Sequence, residues 1–290
     1  MRTNQSILMM QGIAAISIVL YHSMGLYCAV IPMGSRCDLA VHYLGYLGLI
    51  IFSFFSGYKL TLNHRAELQD KTFLKRYLVN RFLRLYKPYI GYTLLVLPFL
   101  YVTIWLSRSV FNLDYPGLHF LDNPYKALLD FIIGANPVAN QLWYLVMLLE
   151  VTFLCLIVLY IFDIDVLFRI CFILLLLWPL IYNNLGSIGL YRITLHGMMF
   201  IIGMFFATRV ILPRNINASV LKPLLTVGSY SFYIYLFQAP LLIAVPGRVL
   251  LNMLHITNIL VPVFLTIFTI VMSIIIYKII KKFGINRLIE

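Results

Sequence analysis

The sequence predicts an all-α protein: a multi-pass transmembrane helical bundle of about eight spans, within a range of about 8–10, with both termini cytoplasmic. Three observations predict it. Of 290 residues, 62% are hydrophobic and only 11% are charged, far from the composition of a soluble domain. The apolar residues come in runs long enough to cross a hydrocarbon core of about 30 Å. The charges gather between those runs, in the pattern that fixes orientation. No polar linker divides the chain, so residues 1–290 read as one integral-membrane domain.

The first helix is expected from about Ile7 to Cys28. No small-residue cleavage site ends it, so it reads as a retained span. Gly12, Ala14, Ala15 and Ser17 make its near end thin and allow close packing. An outer loop with Pro32, Gly34 and Asp38 follows, then a second helix over about Val41–Leu62. From Asn63 to Lys87 stand Arg65, Lys71, Lys75, Arg76, Arg81, Arg84 and Lys87, marking a cytoplasmic loop. Phe73, Tyr77, Phe82 and Leu85 lie among these charges, as in a helix resting along the inner interface. Pro88 suits the start of a third helix over about Tyr89–Leu106.

The segment Ser107–Asn140 is long and polar enough to be external, with a short helix expected over Tyr125–Ile133. A fourth helix is expected over Gln141–Phe162 and a fifth over Arg169–Tyr182, joined by DIDVLF as a tight inner turn. The sixth is placed at Ile193–Thr208, the seventh at Pro223–Val245 and the eighth at Asn258–Tyr277, before a basic tail. Of the 22 Lys and Arg residues, Arg36, Arg108, Lys126, Arg192 and Arg248 then fall outside. Lys59 falls within the second span, where it can snorkel inward, and the other sixteen are cytoplasmic.

The net charge of +12 therefore reads as topology and not as a nucleic-acid surface. Cys155 and Cys171 lie in apolar runs and read as packing residues. Cys28 and Cys37 flank an outer loop, and the sequence leaves open whether they are bridged. No zinc-type spacing of Cys and His occurs, and no metal or bound cofactor is expected.

The chemistry concentrates in MQGIAAISIVLYHS, Met10 to Ser23. Gln11 and His22 interrupt this apolar run eleven residues apart. On a helix they share a face to within roughly 20°, about 16 Å apart along the axis. An ionisable residue in a span faces a bundle interior or a watery cavity, and His22 there can serve as a base. Glu150 is the acid placed deepest within a span. It can orient His22, pair with Lys59 or bond to a tyrosine. Arg81 and Arg84, three apart on one helix face, can hold phosphates as readily as they mark topology.

Several of these pieces together resemble the membrane acyltransferase-3 family, which includes sugar and polysaccharide O-acetyltransferases. GIAAISIVLYHS is similar to the family's first helix, a small-residue run leading to His. Ser56-Gly57-Tyr58 is similar to its serine-glycine-aromatic motif, and Arg81-x-x-Arg84 before Pro88 to its arginine pair. QLWYL, Gln141 to Leu145, followed by Glu150, resembles its Trp-aromatic-Leu entry and acid. GSYSFYIYLFQAPLL resembles its late serine-tyrosine motif. Gln11 stands where the family has Arg, and Gln238 where it has His.

The resemblance implies transfer of an acyl group from acetyl-CoA or another acyl-CoA to a hydroxyl of a cell-surface glycan or lipid-linked sugar precursor. The setting would be the bacterial cytoplasmic (inner) membrane, with membrane lipid as the other partner. His22 would be the general base, with Glu150 as its catalytic partner. Arg81 and Arg84 would hold the phosphates of CoA. Gln11, Trp143, Tyr144 and Gln238 would contact substrate, the aromatic pair by stacking on sugar. Interfacial anchoring is the other reading of Trp143 and Tyr144. A non-catalytic polysaccharide translocator or assembly subunit on the same bundle is the alternative function. The sequence does not give the oligomeric state.

Overall fold

The computed structural model describes residues 4–30, 35–68, 70–111, 125, 142–178, 180, 190–213, 218–238, 242–243, 246–247, 249–256 and 258–284. Among them the order is α1 (Gln5–Val30), α2 (Ser35–His64), α3 (Lys71–Phe111), α4 (Trp143–Ile161), α5 (Ile164–Leu176), α6 (Leu190–Arg209), α7 (Ala218–Ser229), α8 (Ser231–Phe237) and α9 (Leu260–Lys282). No strand occurs among the described residues. Among the described residues four stretches are long and apolar enough to cross a membrane: Gln5–Ala29, Val41–Glu67, Trp143–Ile161 and Leu260–Lys282. Asn4 caps α1, its Oδ1 accepting from the amides of Ser6 (3.0 Å) and Ile7 (3.4 Å). α9 shows the membrane pattern: Thr266, Thr269 and Ser273 turn inward, while Val263, Phe264, Ile267, Val271 and Ile275 are exposed. The outward face is as apolar as lipid, and inside the protein the Thr266 and Thr269 hydroxyls donate to the carbonyls of Pro262 and Leu242.

By its contacts the chain divides into two units. The first comprises Met1–Ile18, His42–Phe82 and Met147–Ser231, the second Val19–Val41, Leu83–Val146 and Phe232–Glu290.

In the first unit, glycines bring helix backbones into contact. A Cβ on Gly57 would overlap the carbonyl oxygen of Phe200, and one on Gly203 would overlap that of Phe54, so α2 and α6 touch at two reciprocal points. Gly228 lies flush against the Leu8 carbonyl, joining α7 to α1. A Cβ on Gly48 would stand 2.8 Å from the Ala14 carbonyl oxygen, joining α2 to α1. Ala14, Ala15 and Ser17 are buried, as the thin end of α1 requires. Such small-residue contacts replace the hydrophobic drive that lipid does not supply. Cys155 and Cys171 are buried and free. α5 meets α6 through the stacked rings of Phe168 and Phe205 (3.8 Å) and the Asp165–Arg209 ion pair (3.2 Å).

In the second unit α8 lies along α9. Tyr233 stacks on Tyr277 at 3.8 Å, and Thr269 donates to the Leu242 carbonyl at 3.2 Å. Tyr27, Leu251, Val261 and Leu265 form a buried cluster, with Leu26 packed against it. Cys28 is disulfide-bonded; the side chain of Cys37 lies outside the described residues.

Several boundaries differ from the sequence expectation. The interfacial helix and the third span are one helix of 41 residues, with Pro88 and Pro98 inside it. Each proline removes one backbone donor, which a long helix tolerates where neighbouring groups re-satisfy the freed carbonyl. Phe73 is buried and Tyr77 half-buried beside His64, but Phe82 is exposed. The fifth helix begins at Ile164, so DIDVLF is mostly its first turns, with Asp163 extended at the N-cap. The seventh span is not one helix. It breaks at Tyr230, where the Ser229 hydroxyl takes the Thr226 carbonyl at 2.7 Å and the Tyr230 amide is shared between Thr226 and Val227. Beyond α8 the chain winds into a π-turn at Val249–Met253. The helix expected over Tyr125–Ile133 falls outside the described residues apart from Tyr125.

Candidate functional site

Gln11 and Lys59 meet in the first unit. The Lys59 ammonium donates to Gln11 Oε1 at 3.0 Å, and both side chains are half-buried. Three neighbours fix Lys59's helix. The Tyr58 hydroxyl donates to the Val210 carbonyl (2.9 Å) and accepts from the Leu212 amide (3.0 Å). Gly57 lies flush on α6. Ile51, Phe55 and Tyr58 pack with Ile7 and Ala14 in one buried cluster. Lys59 therefore does not pair with Glu150, one of the arrangements expected for that acid. Glu150 is exposed on α4, and among the described residues it makes no ion pair or hydrogen bond.

His22 lies on the second-unit part of α1. Its ring is half-buried and stands edge-on to Tyr21, with centroids 4.8 Å apart. Among the described residues its nitrogens have no hydrogen-bond partner.

In the same unit Trp143 and Tyr144 stand edge to face at 6.0 Å. Tyr144 is buried and packs on Tyr235 of α8 at 6.0 Å, while Tyr233 turns the other way, onto Tyr277. Tyr144 thus sits in an aromatic interior. Gln238 is fully buried, and neither end of its amide has a partner among the described residues. With Tyr233 on Tyr277 and Leu242 on Thr269, the antiparallel register brings Gln238 to the level of Ser273. The Ser273 hydroxyl is also buried without a partner there. Buried polar groups are seldom left so, and a donor–acceptor ligand or water suits the place.

Arg81 is half-buried and Arg84 exposed, both before Pro88 on α3. Gln141 lies outside the described residues. No group of three or more His, Cys, Asp or Glu among the described residues is placed to hold a metal.

The sequence reading missed three residues. Lys59 was expected to reach for water. Ser273 carries no motif. His196, with no pattern around it, is fully buried and hydrogen-bonded to Ser53 at 3.0 Å. Only position in an apolar run could have flagged His196, since an imidazole in such a run needs a partner.

Residues 4–219 match a family model described as an acyltransferase domain, that of acyltransferase-3. No curated protein and no solved structure matches the chain. The matched stretch holds Gln11, His22, Lys59, Arg81, Arg84, Trp143, Tyr144 and Glu150; Gln238 lies beyond it.

Proposed function

The chain belongs to the acyltransferase-3 family, and from that premise we propose that it is a membrane O-acyltransferase using cytoplasmic acyl-CoA, with acetyl as the first acyl group to test. The acceptor is a hydroxyl of a cell-surface glycan or of its lipid-linked precursor. The match over residues 4–219 carries this reading, because it spans every candidate residue except Gln238. Membrane residence follows from the four long apolar stretches. Which membrane, the eight-span count and cytoplasmic termini belong to the proposal and rest on the placement of Lys and Arg.

In this reading His22 takes the proton of the acceptor hydroxyl as its oxygen attacks the acyl carbonyl carbon. The carbon–sulfur bond breaks, and CoA leaves as the thiol after protonation. An imidazole with neither nitrogen bonded to a described residue suits this role, since one nitrogen must accept a proton from substrate. Arg81 and Arg84 hold donor phosphates by charge-assisted bonds. Trp143 offers a ring to the sugar. The buried amide of Gln238 offers an acceptor and a donor to hydroxyls.

The test is mass analysis of surface glycans from cells with the wild-type protein, with His22→Ala, and without the protein. Loss of one acyl mass in the last two is expected. Unchanged acylation together with loss of surface polymer would overturn the enzyme reading in favour of a translocator.

A further inference from the structure

We propose that Gln238 and Ser273 form a binding site for a secondary amide, the one nearest the thioester in the pantetheine arm of the acyl donor. The inference rests on the acyl-CoA reading above. It starts from three polar atoms that the fold buries and leaves unmatched: both ends of the Gln238 amide and the Ser273 hydroxyl. Both side chains are fully buried, and both belong to the second unit. Thr269, Ser273 and Tyr277 follow at four-residue spacing and so form one stripe of α9. The outer two meet Leu242 and Tyr233, which leaves Ser273 facing the middle of the stretch that Gln238 occupies. Gln238 itself stands in a π-turn directly after α8, a winding that recurs at functional sites. A fold seldom keeps such atoms together at one level unless something else matches them.

The arrangement selects the chemistry. The two side chains carry no charge, so they suit a neutral group. A trans amide points its N–H and its carbonyl in opposite directions, and it needs partners on two sides. Gln238 and Ser273 supply them, and each can donate or accept. A hydroxyl carries donor and acceptor on one oxygen and needs no two-sided site. The Gln238 atoms alone suit acceptor hydroxyls equally well; Ser273 across from them turns the site toward an amide. The surroundings agree. Phe237 packs on Tyr92 at 5.7 Å, and Leu236 and Leu242 are buried, so the entering group brings an apolar stem. Pantetheine is such a stem, methylenes interrupted by two secondary amides, enough to match both ends of the Gln238 amide and the Ser273 hydroxyl.

The level fits as well. Leu26 of α1 and Leu265 of α9 meet at Gly247, so the end of α1 lies beside the start of α9. Both helices are long and apolar enough to span, and two spans that meet at one membrane face cross the same slab from there. One turn further in, His22 comes level with Thr269. Ser273 lies one more turn, about 6 Å, beyond that level. In an acyl-CoA two methylenes join the sulfur to the first amide, about 5 Å from the thioester carbon to the amide nitrogen at ordinary bond lengths. A donor whose first amide lies between Gln238 and Ser273 thus has its reacting carbonyl near the level of His22. The acetamido group of an N-acetylated acceptor sugar is the other source of the same chemistry.

The experiment uses the full chain in nanodiscs and measures acetyl-CoA binding and thermal unfolding. Two small competitors differ at one position. N,S-diacetylcysteamine carries the thioester and the first amide; O,S-diacetylmercaptoethanol has an ester in place of that amide. Wild type should prefer the amide about three- to tenfold, the worth of one neutral hydrogen bond. Gln238→Met and Ser273→Ala should each weaken acetyl-CoA binding by a similar factor. At least one of them, the one that removes the acceptor of the N–H, should abolish the preference. Their unfolding temperatures should equal or exceed that of wild type, because each removes a buried polar atom that has no partner in the protein. Equal binding of amide and ester by wild type, or a preference that survives in both variants, overturns the inference and leaves the donor reading standing. So does wild-type affinity for acetyl-CoA in both variants, which would leave the place to water, and so does a lower unfolding temperature in both. If the variants bind acetyl-CoA as wild type but lose octyl N-acetylglucosaminide, the amide is the acceptor's and the assignment to the donor fails. A wild-type protein that does not bind acetyl-CoA overturns the donor reading, and the inference with it.

Discussion

Alanine at Gly57 tests whether the serine-glycine-tyrosine motif is a packing device. Its Cβ would overlap the Phe200 carbonyl oxygen and crowd Met204; the methionine side chain can shift, but the Phe200 backbone cannot. The helices must part by on the order of 1 Å, and a gap of that size forfeits a quarter to a half of each dispersion contact along the pair. Buried Phe55, Tyr58 and Ala207 lie along that seam. We expect Gly57→Ala to destabilise by about 1–3 kcal/mol, the usual cost of overpacking. Gly203→Ala should cost a similar amount, because its Cβ would meet the Phe54 backbone from the opposite side. The two changes should not add. Once one alanine has parted the helices the second meets less obstruction, giving a coupling of about 0.5 kcal/mol or more. Gly197→Ala is the control: its Cβ would lie 4.0 Å from Cys155 Sγ, an ordinary contact. The assay is reversible unfolding in mixed micelles by SDS titration. Unchanged stability in Gly57→Ala, or strict additivity in the double variant, would refute the reasoning.

Arg84→Ala and Arg81→Ala should each raise the apparent KM for acyl-CoA about ten- to a hundredfold with little change in kcat; wild-type donor kinetics in both would leave them as topology charges. Cysteines placed at Ala66 and Asn123 read orientation: in intact cells a membrane-impermeant reagent should label only the Asn123 site, and the reverse would invert the topology. Asp70 ends the turn before α3 and accepts from the Thr72 hydroxyl (2.8 Å) and amide (2.9 Å), bonds that hold its carboxyl below the ordinary value. Its contribution is therefore fully present above about pH 4 and lost as pH falls below that through the lowered folded value. Protection of the Thr72 amide, its exchange rate relative to the intrinsic rate at the same pH, should fall there, and Asp70→Ala, unprotected at every pH, should abolish that change.

Much of the fold was legible because hydrocarbon thickness and charge placement act on sequence directly. α1, α2, α4 and α6 lie where their apolar runs and flanking charges put them. Legibility failed where a local bond decides against the run. Nothing in the apolar pattern of residues 223–245 shows that one helix stops at Ser229, whose hydroxyl donates to the Thr226 carbonyl, and another starts at Ser231. Pro88 misled in the opposite sense, since a proline that starts a helix and one carried inside it leave the same letter in the sequence. At the contact of Gln11 with Lys59 the two residue types could be read, but their pairing could not. Pairing depends on how two helices are offset, and the sequence of either helix alone does not contain that offset.

Gln11 shows what that difference means for function. By itself it brings no charge to its face of α1. In space a charge is there all the same: Lys59 places an ammonium 3.0 Å from the amide oxygen. The two side chains are coupled, because an arginine at residue 11 could not accept from Lys59 and would set two like charges together. Glutamine is thus the residue that the lysine demands, able to accept and uncharged. The pair then reads as one cation held between α1 and α2. The same reasoning makes the single change Gln11→Arg unfavourable while Lys59 remains. It should lower stability in wild type and be tolerated only when Lys59 is neutral, an ordering that measured unfolding of the two singles and the double would show or exclude.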